Sequence, residues 1–323
     1  VGRGADVLIL SIKNVYLWVW YFLFFCTSRA TFDVRFLKIL YATVVICTVL
    51  NVAYSLFIEY SFSGDPSIFY FYDFYLSKGI YSSWNFYRED GVRAFGFLGS
   101  PLTFSQALLL PILFCFISVI FRKYSLGSIV YFFLFLLLLI GLFITKTRNP
   151  AFALFLSVLL FITAYLFRLK NASFVLAFLI FYSLSFYLVL EINSRGAGDL
   201  SSQARIPMFL QFFDNIKTWP WGYGIGSTGI SSPNYEYFFE SSVATIFMDL
   251  GIVGGGWFFY ILFRAIYYLR IVAYGLELSE RWVVHATSIA VVALLFLTNF
   301  SNIFDSTLFL YSIVLAVSLK VRA

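Results

Sequence analysis

Apolar residues run along this chain in long blocks separated by short polar connections. A membrane-crossing helix needs roughly 20 predominantly apolar residues. Nine blocks approach that length, at about 6–25, 37–58, 101–121, 127–145, 150–167, 173–190, 241–263, 283–301 and 306–320. Backbone in contact with lipid must satisfy its own hydrogen bonds, so each block is predicted to be an α-helix. The first block is interrupted by Lys13. The pattern predicts an all-α integral membrane protein, a polytopic bundle forming one membrane domain over 1–323. Two long connections, about 59–100 and 191–240, emerge on one side. Within the second, QARIPMFLQFFDNIK (203–217) carries Phe209, Phe212, Phe213 and Ile216 at helical spacing, with Pro207 suited to a first turn. It reads as a short surface helix whose apolar stripe lies on the membrane. A turn region with Trp219, Trp221 and Tyr223 follows, TWPWGYGIGSTGISSPN. The stretch 69–87 is also rich in aromatics.

Composition agrees with the pattern. Of 323 residues, 61% are hydrophobic and 12% charged, against about a quarter charged in soluble domains. The 42 Phe and 23 Tyr residues exceed what a soluble core needs, and part of them belongs at headgroup level. The first residue is Val1 and the first methionine is Met208, so further N-terminal spans are expected to precede this stretch. No signal peptide is visible. Cys26, Cys47 and Cys115 lack metal-ligand spacing and read as small buried side chains. The single histidine, His285, falls where a span begins and reads as a helix-end residue.

Charge adds an orientation. Arg29, Arg35, Lys38, Arg122, Lys123, Arg168, Lys170, Arg264, Arg270, Arg281, Lys320 and Arg322 fall in alternate connections, which places those connections on the cytoplasmic side. They account for much of the net charge of +6, so no nucleic-acid partner is implied. Against that bias, Arg88, Arg93, Lys146, Arg148, Arg195, Arg205 and Lys217 lie on the translocated side.

Four outer elements could carry chemistry. They are RAFGFLGSP with Arg93, TKTRNP with Arg148, the surface helix with Arg205, and NYEYFFESSVATIFMDLGIVGG with Glu240. Guanidinium groups match phosphate oxygens with paired donors and keep their charge. Arg93, Arg148 and Arg205 converging on one anion could hold a diphosphate and stabilise it as it departs, with no metal or other cofactor. Arg148 reads equally as a snorkelling anchor at the membrane edge. Glu240 could accept a proton from an attacking sugar hydroxyl, or favour a helix N-terminus by its charge alone. Gly222, Gly224 and Gly226 follow no strand, so a dinucleotide site is excluded and a flexible turn is the better reading. The neighbouring tryptophans could stack on sugar faces or anchor the loop at the interface. Asp249 reads as a buried polar contact between helices.

In their order and sidedness these elements resemble the O-antigen polymerase and ligase superfamily. The likeness rests on Arg93 with Gly96 and Pro101, on Thr147–Arg148, on Arg205 with Trp219–Pro220–Trp221–Gly222–Tyr223–Gly224, and on Glu240–Ser241–Ser242 with Gly251–Ile252–Val253–Gly254. It covers about residues 90–256. The resemblance implies an inner-membrane enzyme with its site facing the periplasm. Its donor would be an undecaprenyl-diphosphate-linked oligosaccharide, and its reaction an inverting, metal-independent glycosyl transfer. It implies catalytic roles for Arg148, Arg205 and Glu240. Substrate contacts would come from Arg93, Arg88, Arg195, Trp221, Tyr223 and Tyr237. Membrane lipids are expected partners, and a chain-length regulator protein is left open. The ligase branch looks to need a histidine where this chain has Tyr237 to Ser242, which favours the polymerase branch. Two alternatives remain: the sister ligase, and a transporter of polysaccharide or lipid-linked sugar. Transporters usually place charged or broken helices at mid-membrane, and Lys13 and Asp249 are the candidates here.

Overall fold

In the computed structural model, the residues described are 31–61, 87–88, 91–96, 100–121, 126–167, 169, 171–194, 210–224, 241–298 and 320. They form helices α1 (Val34–Ser61), α2 (Pro101–Phe121), α3 (Leu126–Ile144), α4 (Arg148–Leu166), α5 (Asn171–Ser194), α6 (210–218), α7 (Ser242–Gly275) and α8 (Leu278–Thr298). A two-residue antiparallel hairpin, β1 (Tyr87–Arg88) and β2 (Gly91–Val92), pairs Tyr87 with Val92 and Arg88 with Gly91. Among the described residues, six helices are long and apolar enough to cross a membrane: those beginning at Val34, Pro101, Leu126, Arg148, Ser242 and Glu280. The chain is therefore a helical membrane protein. The predicted block 173–190 lies within α5, and the blocks 6–25 and 306–320 fall outside the described residues.

The helices separate by which side chains they turn inward. α2 is buried along most of its length and packs on α1, α3, α4 and α8. α8 is buried throughout its second half, with Ala286, Thr287, Ser288, Ala290 and Ala293 on its buried surface. Lipid tails are as apolar as leucine, so helices in a bilayer associate through close packing, and small residues permit the closest approach. α3 shows the complement: Ile129, Phe133 and Phe143 face outward, while Gly141 is tight against Val52 of α1. The centre is aromatic. Tyr41 stacks on Phe114 at 4.3 Å, Phe114 meets Trp282 at 5.1 Å, and the Tyr41 hydroxyl bonds that of Thr287.

Three expectations change. Cys115 is buried but Cys47 faces outward from α1, because a lipid-facing position accepts a small apolar side chain as readily as a core does. His285 sits two turns inside α8, its ring stacked on Phe121 at 5.5 Å. The block 241–263 is not one continuous span. Thirty-four helical residues would reach about 51 Å, against a hydrocarbon core of about 30 Å. α7 breaks instead at Gly251, whose φ of 71° and ψ of −178° are far from helical. Phe247 and Phe259 stack at 5.7 Å across that break, although twelve residues of straight helix would part them by about 18 Å. A Cβ on Gly255 would lie 2.6 Å from the Phe247 ring. The half-helix 242–250 thus folds back on 252–275, which is by itself long enough to cross the bilayer.

Basic residues of the connections assigned to the cytoplasm meet at one end. Lys38 pairs with Glu280 at 3.6 Å, Arg270 donates to the Leu169 carbonyl, Arg281 donates to the Leu276 carbonyl, and the Lys320 carbonyl accepts from the Phe32 amide.

Candidate functional site

At the opposite helix ends, two pairs of the sequence elements come together. The first pair is the Arg93 stretch and the turn before α4. The Ala94 amide donates to the Ile144 carbonyl at 3.0 Å, and Arg93 Nε donates to the Thr145 carbonyl at 3.1 Å. Arg93 is buried by this contact, folded under the turn. The chain can enter beneath it because Gly96 adopts φ +55° against Asn51 of α1; a Cβ there would stand 1.9 Å from Asn51 Oδ1.

The turn itself is tightly specified. Thr145 donates to the Leu142 carbonyl, and its hydroxyl also bonds that of Thr147 at 2.7 Å. Lys146 takes a left-handed φ of 51°, a conformation that costs a non-glycine residue about 1–2 kcal/mol. Thr147 is the N-cap of α4 without a capping side-chain bond, and Arg148, exposed, is the first helical residue. Three cationic residues, Arg93, Lys146 and Arg148, therefore gather at one helix start that has no acidic residue in its first turn. A cation there opposes the helix dipole, whose positive end favours anions. A helix start with cations beside its positive end is suited to seating an anion.

The second pair is the glycine-rich turn after α6 and the break in α7. Met248 O and Ile252 N, four residues apart, would be partners in an unbroken helix. Here Met248 O accepts from the Tyr223 amide at 2.7 Å, and Ile252 N donates to the Pro220 carbonyl at 2.9 Å. The Gly224 amide adds a bond to Asp249 O at 3.1 Å. The turn thus fills the break with its own backbone, satisfying groups that a discontinuous helix would leave bare. The approach requires glycine on both sides. A Cβ on Gly222 would lie 2.4 Å from Gly251 N, and one on Gly251 would lie 2.4 Å from the Trp221 carbonyl carbon. Gly222 and Gly224, read as part of a flexible turn, are docked; Gly226 lies outside the described residues.

α6 follows the predicted surface helix, and 210–218 are helical. Its stripe is divided, however. Phe212 is buried against Ala244 and Met248 with Ile216 beside it, whereas Phe213 and Leu210 face outward. Trp221 is 77% exposed, and Trp219 stacks on Tyr223 at 6.4 Å while its ring N–H donates to the Gly222 carbonyl. Asp249 is buried at the junction, and its backbone carbonyl accepts from the Gly224 amide. Ser241 caps α7 by accepting from the Ala244 amide, and its hydroxyl donates to the Thr298 carbonyl. Arg195, Arg205, Tyr237 and Glu240 lie outside the described residues; of Arg88 only the backbone, in β1, is described. Reasoning from sequence set Lys146 on the translocated side without giving it a place in the site, and missed the Thr145–Thr147 hydroxyl pair. The alternation of threonine with cations in TKTR was the available signal.

The fold and this rim define a helical membrane protein with a cationic helix start and a loop-filled helix break. Comparison with family models, with characterised proteins and with solved structures found no match.

Proposed function

We propose that the protein is a polysaccharide polymerase of the O-antigen type, acting at the periplasmic face of a bacterial inner membrane. The single observation that supports this reading best is the gathering of Arg93, Lys146 and Arg148 on the turn that opens α4. In the reaction, a growing glycan is joined through its anomeric carbon to undecaprenyl diphosphate. A hydroxyl of the terminal sugar on a second lipid-linked unit attacks that carbon from the opposite face. The bond from carbon to diphosphate oxygen breaks, and undecaprenyl diphosphate leaves with the bonding electrons.

Arg148 and Arg205 bind the diphosphate and stabilise its developing charge, as preorganised donors do at a departing anion. Arg93 is a positioning residue: it holds the Thr145 carbonyl and so fixes the turn that presents Arg148. Glu240 receives the acceptor's proton. Trp221 and Tyr223, exposed beside the break, stack on sugar rings, with Arg88, Arg195 and Tyr237 supplying further contacts to substrate.

The test is made in cells and with purified protein. Arg148→Ala and Arg205→Ala are expected to remain in the membrane and to abolish long glycan chains, leaving single units on the lipid core. Normal chain ladders in both variants would refute the site. Accumulation of unattached lipid-linked polymer would mark the sister ligase instead.

A second reading, a transporter of lipid-linked sugar, is favoured by one observation, the interrupted helix at Gly251. Transporter sites are commonly built on such interruptions. Against it, the interruption here is occupied by residues 220–224. Flipping of a lipid-linked oligosaccharide by reconstituted protein, with no elongation, would establish that reading in place of the polymerase.

A further inference from the structure

We infer that the cleft between α5 and α7, at the end of the bundle opposite the cationic turn, is a binding site for one anionic phospholipid. The cleft and the open space at its mouth together span about 280 Å³. Its wall is made by Phe174, Phe178, Phe263 and Ile266, and Phe178 meets Phe263 edge-on at 5.3 Å. Val175 and Tyr267 form its lips and are exposed. In a helical membrane protein a cleft open sideways at this position opens into lipid, and acyl chain is what fills it. Its wall of ring and aliphatic carbon offers a sugar nothing to bond with. A hydrocarbon tail needs no polar partners.

The charge at the mouth selects the headgroup. The Arg270 guanidinium lies flat on the Phe174 ring, 3.9 Å from its centroid, and donates to the Leu169 carbonyl at 2.9 Å. That carbonyl belongs to the connection between α4 and α5, so the charge stands where the helices leave the hydrocarbon. Stacking, the bond to the Leu169 carbonyl and a side-chain bond with Tyr274 fix the plane of the guanidinium, a group suited to phosphate oxygens. Arg281 adds a second cation nearby, anchored on the Leu276 and Tyr274 carbonyls at the end of the same helix. Two acidic residues stand beside it: Glu280, engaged by Lys38, and the exposed Glu277. An apolar slot ending at a fixed guanidinium, with a second one at hand, matches a phospholipid of net negative charge better than a zwitterionic one. The site is independent of the glycan chemistry proposed above.

The experiment is native mass spectrometry of the purified full chain released from detergent containing equal amounts of phosphatidylglycerol and phosphatidylcholine. Phosphatidylglycerol is expected to be retained preferentially. Arg270→Gln should lower its retention about tenfold, the size of one hydrogen bond to a charged group. Val175→Trp, which narrows the cleft and leaves the guanidinium in place, should lower it as well. Equal retention of the two lipids by the wild type overturns the proposal. So does loss in Arg270→Gln with full retention in Val175→Trp, because the lipid then binds the charge outside the cleft. Glycerol 1-phosphate, a headgroup without tails, should fail to displace the lipid; displacement at equal concentration would make the site one for free phosphate and end the lipid assignment.

Discussion

The aromatic centre around Phe114 and the junction at Gly251 hold the same molecule together by opposite means. At the centre, Tyr41, Phe114 and Trp282 meet through ring faces, and Leu108, Leu109 and Leu113 close around them with almost no exposed surface. Contacts of that kind are numerous, non-directional and individually small. At the junction, three backbone hydrogen bonds and two mutually intruding glycines join residues 220–224 to 248–252. Contacts of that kind are few and directional. The difference teaches where each region is vulnerable. A core loses stability in proportion to the volume removed, whereas a backbone junction fails when a single atom is added.

The largest effect should follow from adding that atom at Gly251. Its φ and ψ fall in a region open essentially to glycine alone, and the new Cβ would meet Pro220 O at 2.5 Å as well as the Trp221 carbonyl. Gly251→Ala should expel the turn and strip Met248 O and Ile252 N of their partners, at on the order of 4 kcal/mol. Unfolding in a mixed-micelle titration measures this, and faster protease cleavage within 219–224 reports the released turn. Gly222→Ala should act on the same contact, so the double variant should cost much less than the sum; full additivity would show that the two glycines are not one junction. At the centre, Phe114→Ala removes atoms without adding any. It should cost about 3 kcal/mol by leaving a cavity, and the same titration should show it with the turn still protected from protease. Tyr41→Phe is milder. It removes the hydroxyl bond to Thr287, which keeps its own bond to the Val283 carbonyl, for about 1 kcal/mol.

The same contrast explains what could be read from residues alone. The spans were legible because lipid demands apolar length, and length is a local property. Predicted blocks at 101–121 and 127–145 differ from α2 and α3 by one residue at most. α6 was legible for its spacing, although the spacing could not say that Phe212 would turn toward Met248 and Phe213 away from it. The fold-back was not legible, because glycines are ordinary in membrane helices and the run from Ser242 stays apolar through the break. Its trace was nonetheless present: Gly251, Gly254, Gly255 and Gly256 fall at one place in the block. The β1–β2 hairpin also passed unread. At the candidate site, the type and side of Arg93 and Arg148 were legible from charge. That Arg93 lies beneath the turn bearing Arg148 was not, since the two meet across 52 residues of chain.

Gly224→Ala should cost no more than Tyr41→Phe, and it divides the cause of the junction's fragility. Gly224 shares a positive φ, +99°, with Gly222 and Gly251, and its amide likewise bonds across the junction, to Asp249 O. A Cβ built on it meets nothing within 4 Å. Backbone strain is therefore the only penalty, about 1 kcal/mol, and the hydrogen bond to Asp249 can persist. If close approach governs the junction, Gly224→Ala should stay near wild type in the mixed-micelle titration and keep the turn protected, while Gly222→Ala does neither. Were the two alanine variants to fall together, torsional strain would be the controlling factor. The fit of the turn into the broken helix would then be a consequence of its glycines' freedom and not of their size.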